Sequence, residues 1–463
     1  MVSIENFLKS LESTKYSEVR YHKNSSMRIS MINGSISSIE KSVKEGYGIR
    51  IYKDNLLYFY SIKDLNNFDL KPISFRSWEE GFLESSPIKL RYEAKEEIKF
   101  NNISLEEKIK FLKEISNNIK NLKLEGKLES FSISYIELEE VKEFYNSEGS
   151  VIYSRVPRLW IYFTIVLRNG DRSASLWSDE LGASGGYELL KKWDLSEFIL
   201  NKVKNLDLIL DKGKSPPSDK LDVILSSQIA GIIAHESIGH PFEADRVLGR
   251  ESAQAGRSYL NYIKEKKLGS EIVNVVDDPT LYGSMGYYLV DDEGVRARRR
   301  YLLRNCEVSE LLHSRFTAYK FRTENNGSVR AMDYESEPII RMSNTFFLPS
   351  NIKFEELLED IKHGVYIESF MEWNIDDIRW GQRYVGLEAY RIENGEIKEP
   401  IIYPILEATT NEILKSIDAV DNNLRFYAGL CGKGEPSQGV PVWMGGPNLR
   451  LRNIRVKRIG ETY

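Results

Sequence analysis

Two of the five histidines in this 463-residue chain, His235 and His240, flank a carboxylate, Glu236. Imidazoles are zinc ligands, and a neighbouring glutamate can take a proton from zinc-bound water, so these residue types together make a hydrolase's toolkit. Their spacing is the difficulty. Ile229, Ile232 and Ile233 fall at i, i+3 and i+4 just before them, which predicts a helix with one buried face. On a regular α-helix, residues five apart point about 140° away from each other, so both rings cannot reach one ion. The chain supplies a remedy. Gly239 weakens the helix before His240, and Pro241 removes a backbone donor after it. A π-bulge, kink or helix end between Ser237 and Pro241 is therefore predicted.

A catalytic zinc takes three protein ligands and keeps one position open. The candidates for the third ligand are His313, His363, Glu243 and Cys431. Glu243, three residues beyond His240, and Asp245 are equally suited to orienting a ligating imidazole. Cys431 lies in Ala428-Gly-Leu-Cys-Gly-Lys-Gly434, where glycines expose the sulfur and leave room for backbone to wrap an ion. Cys306 reads as ordinary strand packing. Glu236, pointing about 100° from His235 on a helix, fits a general base better than a ligand.

These groups need a scaffold. The length implies two or three domains, and the pattern divides into an N-terminal α+β domain (1–210) and a C-terminal β-rich domain (220–463). The first opens with a short amphipathic helix and a meander turned at Asn33-Gly34. A less regular stretch at 66–101, a possible subdomain break, reads as a helix with a loop. Ser104-Leu-Glu-Glu107 is a capping box opening a helix. Strands at 130–138, 151–156 and 159–167 follow, then a helix from about 187 to 204. Asp211–Asp219, with two prolines, is the linker. Beyond it, Leu221–Leu225 feeds the motif helix, a polar loop covers 249–270, the stretch Glu271–Val276 and the Gly-rich Asp291–Gly294 follow, and strands dominate from 301 with one helix at 354–361. The predicted fold class is α+β, with antiparallel strands mixed with helices in the first half and the metal-site helix on a β-rich second half.

Composition narrows the function. A net charge of -5 argues against nucleic acid as a partner. Two cysteines make no disulfide framework and fit a reducing compartment. The first residues carry charges and lack a long apolar run, so no signal peptide is expected, and no window approaches the ~18–20 apolar residues of a membrane span. A cytoplasmic protein without membrane contact is expected.

His235-Glu-Ser-Ile-Gly-His240, continued by Pro-Phe-Glu243-Ala-Asp245, resembles the His-Glu-x-x-x-His helix of the TldD/PmbA family of zinc metallopeptidases. Asp291-Asp-Glu-Gly294, Arg341-Met-Ser-Asn-Thr345, Cys431-Gly-Lys, Gln438-Gly-Val-Pro441 and Gly446-Pro447 are similar to that family's later blocks. The Asn33-Gly34 hairpin with Gly46-Tyr-Gly-Ile-Arg50 is similar too. Pro241, where a small residue is expected, and a longer loop from Lys433 to Gln438 are departures; neither removes a ligand. The resemblance implies Zn2+ held by His235, His240 and Cys431, with Glu236 as general base. It also implies a homodimer, or a heterodimer with a related motif-lacking subunit, acting on unfolded peptides inside a cavity. The expected activity is that of a zinc metallopeptidase. The rival readings are a non-catalytic metal-binding assembly subunit and a metal-dependent hydrolase of a non-peptide substrate.

Overall fold

The computed structural model describes every residue except 1–2, 13, 68–73, 78–80, 250–256, 435 and 461–463. Asn33 and Gly34 both take positive φ, 49° and 78°, as a two-residue hairpin turn requires. They join strands Tyr16–Ile32 and Ser35–Lys53 in an eight-stranded, largely antiparallel sheet that also contains Lys127–Asn146 and Val151–Asn169. Pro157, which has no N–H to offer a ladder, lies within the last of these. It sits where that strand's outer partner changes, from Lys89–Glu93 along its first half to Arg172–Ser184 along its second. Helices Leu105–Lys120 and Leu195–Lys212 lay Leu112, Ile115, Ile199 and Val203 against Phe131, Ile133, Leu159 and Ile161 of the sheet.

The second half holds a six-stranded and a nine-stranded sheet, both mixed in direction. A short helix, Ser227–Ile233, follows directly on strand Asp219–Leu225, with the Ser226 hydroxyl accepting from the Ile229 amide. Its face of Ile229 and Ile233 is fully buried in the common core. Gly231 lets it lie on the six-stranded sheet: a β-carbon there would stand 2.8 Å from the Gly445 backbone nitrogen. The two halves are keyed together by the buried pair Arg50 with Glu293 and by the part-buried Trp443 indole N–H on the Gly182 carbonyl, among other contacts.

The architecture is α+β, and the sequence pattern needs correction in places. Among the described residues, 66–101 holds no α-helix, only short strands and 3-10 turns. The helix expected at 187–204 is two, Leu189–Lys192 and Leu195–Lys212, broken at Asp194 with φ 43°. Within and just past the stretch 271–276 a three-residue strand forms, Val275–Asp277. Helices Arg315–Phe321 and Thr410–Ser416 join the expected one, which ends at Leu358. Cys306 occupies a hairpin turn at φ 57° and not a strand. Residues 250–256 of the expected polar loop lie outside the described residues. Among the described residues no helix is long and apolar enough to cross a membrane.

Candidate metal centre

The α-helix ends at Ile233 and a π-helical turn, Ala234–Gly239, replaces it, followed by a 3-10 turn, His240–Phe242. The amide of His240 donates to the carbonyl of His235, an i+5 to i bond between the two histidines themselves. Such a bond stacks residues five apart on one face, which an α-helix cannot do. The irregularity starts three residues earlier than the glycine and proline suggested. Gly239 keeps a helical φ of -57°; its lack of a side chain serves packing, because a β-carbon there would stand 1.8 Å from the Met342 sulfur. Tyr259 Oη donates to the Ser237 carbonyl at 2.9 Å, inside the widened turn.

Cys431 arrives from strand Arg425–Lys433, the outermost strand of the six-stranded sheet. Arg341, wholly buried, donates to the carbonyls of Cys431 and Gln438 and so fixes the hairpin that carries the thiol. One ligand atom from each of His235, His240 and Cys431 lies within 4.8 Å of the others. The Cys431 sulfur is 3.5 Å from His240 Nε2. Burial disfavours a thiolate, yet His240, Arg341 and His235 outweigh it and hold the thiol well below its ordinary pKa. Against its own burial, the His235 imidazole is raised by the Cys431 charge and, less, by Glu236 and Glu243. The two directions agree, since each group favours charge on the other.

This donor set fits zinc. It consists of two imidazoles and a thiolate, and His235 Nδ1 is buried without a hydrogen-bond partner. Three protein donors leave a fourth position free, the arrangement of catalytic and not structural sites.

Glu243 is not in the cluster. Its Oε2 lies 3.1 Å from His240 Nδ1, which fixes the ring with Nε2 toward Cys431. Burial opposes the Glu243 charge, but Lys433, His240 and Arg246 hold its carboxyl well below the usual range. Lys433, equally buried, donates to both Asp245 oxygens at 2.8 Å and to the Ile340 carbonyl. Glu236 also lies outside the cluster, with Oε2 bound by Arg379 Nη1 at 2.5 Å. His313 bonds Thr317 and is not in the cluster, and His363 is an exposed strand residue. Cys306 is buried elsewhere, its thiol pushed up to about 12 by burial.

A cavity of roughly 310 Å3 opens over these groups, walled by Ile232, Phe370, Trp373, Leu430 and Met444 with Arg379 on its rim. Arg246, Arg341, Arg379 and Lys433 were not foreseen as parts of the site. Arg246 follows Asp245 directly, Lys433 lies two residues from Cys431 and Arg341 opens one of the blocks quoted above, whereas Arg379 lies near no motif.

A wide helical turn carrying His-Glu-x-x-x-His, closed by a cysteine from a β-hairpin, has the donors and the carboxylate of a metal-dependent hydrolase. The sequence profile of the PmbA/TldA metallopeptidase C-terminal domain matches residues 218–458, that of the central domain 98–208 and that of domain 1 residues 17–73. The chain belongs to the PmbA/TldD metallopeptidase family. It is 32% identical to a metalloprotease of Methanocaldococcus jannaschii over 97% of this chain and 99% of that one. It is 27% identical to a zinc metalloprotease TldD homolog of Saccharolobus solfataricus, covering 95% and 96%. The crystal structure of TldE from Thermococcus kodakarensis shares the fold with a TM-score of 0.72 at 16% identity, covering 98% of this chain and 100% of that one.

Proposed function

We propose that the protein is a zinc-dependent peptidase acting on unfolded or short peptides, with His235, His240 and Cys431 holding the metal and Glu236 as general base. The observation that carries this reading is the convergence of three donor atoms within 4.8 Å, with a carboxylate beside them that takes no part in the cluster. When bound, zinc supplies Lewis acidity, which makes water a nucleophile at neutral pH. The remaining work belongs to the chain. Glu236 takes the proton that water loses and returns it to the departing amine. Glu243 holds the His240 ring in one orientation, and Lys433 with Asp245 holds Glu243 in turn. The apolar wall of Phe370, Trp373 and Leu430 offers burial to a substrate side chain. The outermost strand Arg425–Lys433 offers an edge along which an extended peptide can lie by strand addition, which suits unfolded chains of varied sequence.

The working assembly is a homodimer, or a heterodimer with a related subunit that lacks the motif, in the cytoplasm. Exposed Ile32, Ile36, Ile39 and Val43 along the first hairpin supply apolar surface for such contact. The test is a panel of unstructured peptides incubated with the metal-loaded protein, with chelator, and with zinc restored after chelation. Cleavage that disappears with chelator and returns with zinc is expected. A loaded protein that leaves every peptide intact would leave the non-catalytic assembly subunit or the non-peptide hydrolase in its place.

A further inference from the structure

We infer that Arg379 is a further catalytic residue, whose guanidinium meets the carbonyl oxygen of the scissile peptide and carries the negative charge that gathers there. The inference rests on the peptidase reading above. Arg379 sits in the turn between strands Phe370–Ile375 and Gly381–Gly386, at φ 67°, a left-handed conformation that glycine would adopt without strain. The turn does not need this side chain. Asp376 accepts from the Trp380 and Gly381 amides at 2.8 and 2.7 Å, and the Arg379 amide donates to the Asp376 carbonyl. Thr410 Oγ1 donates to the Arg379 carbonyl at 3.0 Å. The Trp380 ring packs on Tyr259, the residue that also holds the Ser237 carbonyl of the π-turn. The backbone of 379 is therefore registered to the metal-site helix, and its side chain is left to project over the cavity.

There the guanidinium does two separable things. Nη1 binds Glu236 Oε2 and Nε is enclosed by protein, so the Nη2 side of the fork is what the cavity receives. With one edge pinned by Glu236, the guanidinium still has N–H donors to offer an acceptor that enters the cavity. Donors fixed in advance where charge develops are the largest single contribution in many hydrolytic sites. The step balances as follows. The oxygen of water bonds to the carbonyl carbon while one of its protons passes to Glu236. The carbonyl π pair moves onto the carbonyl oxygen beside Arg379. That pair then returns, the C–N bond breaks, and Glu236 delivers its proton to the amide nitrogen. The second water proton stays with the new carboxyl group, and nothing is oxidised or reduced.

The alternative is that Arg379 serves only to hold Glu236. A phosphinic peptide, whose tetrahedral phosphorus carries the charged oxygens of the addition product, separates the two in a protein that cannot turn over. In the metal-loaded Glu236→Gln background, adding Arg379→Met is expected to weaken the phosphinic peptide by about 100-fold and to leave the intact substrate peptide nearly unaffected. With Glu236 present, Arg379→Met should lower kcat by a similar factor with KM little changed, and Arg379→Lys should restore part of it. Metal content and the thermal midpoint should stay at parent values. Equal losses for the two ligands, no loss, or a KM effect alone would overturn the inference. The parent in the same assay separates the two levels. A zinc-loaded parent that cleaves no peptide overturns the peptidase reading itself, whereas an active parent with an equally active Arg379→Met variant overturns only the role of Arg379.

Discussion

The thioether of Met342 occupies the space in which a side chain on Gly239 would begin, its sulfur 1.8 Å from where a β-carbon would stand. Gly239 lies in the π-turn one residue before His240, so any added atom pushes the second histidine away from the first. Gly239→Ala should lose roughly 1–3 kcal/mol of stability, as overpacked cores do, and should bind zinc more weakly. Pairing it with Met342→Ala should recover part of both losses. Chemical denaturation and zinc titration of the two single variants and the double variant would check this, since the losses must fail to add.

The cysteines separate just as cleanly. The Cys431 thiol is held well below its ordinary pKa by its histidines and Arg341 against its burial, whereas burial pushes the Cys306 thiol up to about 12. Cys431→Ser should fall to substoichiometric zinc after dialysis, measured by elemental analysis. Cys306→Ser should keep the full complement.

How much of this was legible depended on the range of each interaction. The His-Glu-His triplet and the need for a bend followed from local spacing, because five residues on an α-helix cannot share a face. The cause assigned to Gly239 did not, because Met342 lies about a hundred residues away in sequence and only packing reveals it. Cys431 was one candidate among four until the resemblance singled it out, since a sulfur in a glycine-rich hairpin has no spacing rule linking it to a helix. Strands such as Val151–Asn169 were cut short at Pro157, whose missing donor matters only relative to neighbours that sequence does not order. The helices Arg315–Phe321 and Thr410–Ser416 are seven residues each, too short to show a period. Arg379 gave no sign at all.

Glu243 supports a ring from behind, so its removal should act on the metal before it acts on the fold. Glu243→Gln weakens the acceptor for His240 Nδ1 and leaves Arg246 and Lys433 without their shared countercharge. Zinc affinity should fall about 10- to 100-fold, read by competition with a chromogenic chelator. Lys433→Met strands Asp245 and Glu243 together in the interior and should cost more stability, about 3–5 kcal/mol, in urea denaturation.

His313, which is not in the cluster, gives a pH dependence of its own. Burial lowers its pKa from 6.5 to about 4, opposed only in part by Glu310. Above pH 6.5 the ring is neutral in both folded and unfolded chains and contributes nothing. As pH falls from 6.5 toward 4 the unfolded chain takes the proton first, so folding loses stability across that window, up to about 3 kcal/mol. Below 4 the loss stops growing. His313→Gln, with no titrating ring, should show a shallower fall in unfolding free energy between pH 6.5 and 4, whatever its fixed cost. Parallel slopes for parent and variant would remove His313 as the source.

The sharpest expectation concerns Glu236, because its position excludes one role and invites another. It neighbours His235 in sequence yet stays out of the three-atom cluster, and its Oε2 is engaged by Arg379 on the rim of the cavity. A ligand would have turned inward with the histidines; a base must face the space that water and peptide enter. Glu236→Gln keeps the shape, removes the charge and offers an oxygen too weak to accept a proton from water. Zinc should stay near one equivalent per chain and the thermal midpoint close to the parent's. Peptide turnover should nevertheless drop, by about 100- to 10,000-fold, the range that general-base catalysis supplies. His235→Ala is the control that should lose zinc and activity together. If Glu236→Gln loses zinc as fully as His235→Ala, Glu236 is a ligand; if it cleaves peptides near the parent rate, the proton goes elsewhere and another base must be sought on the cavity wall.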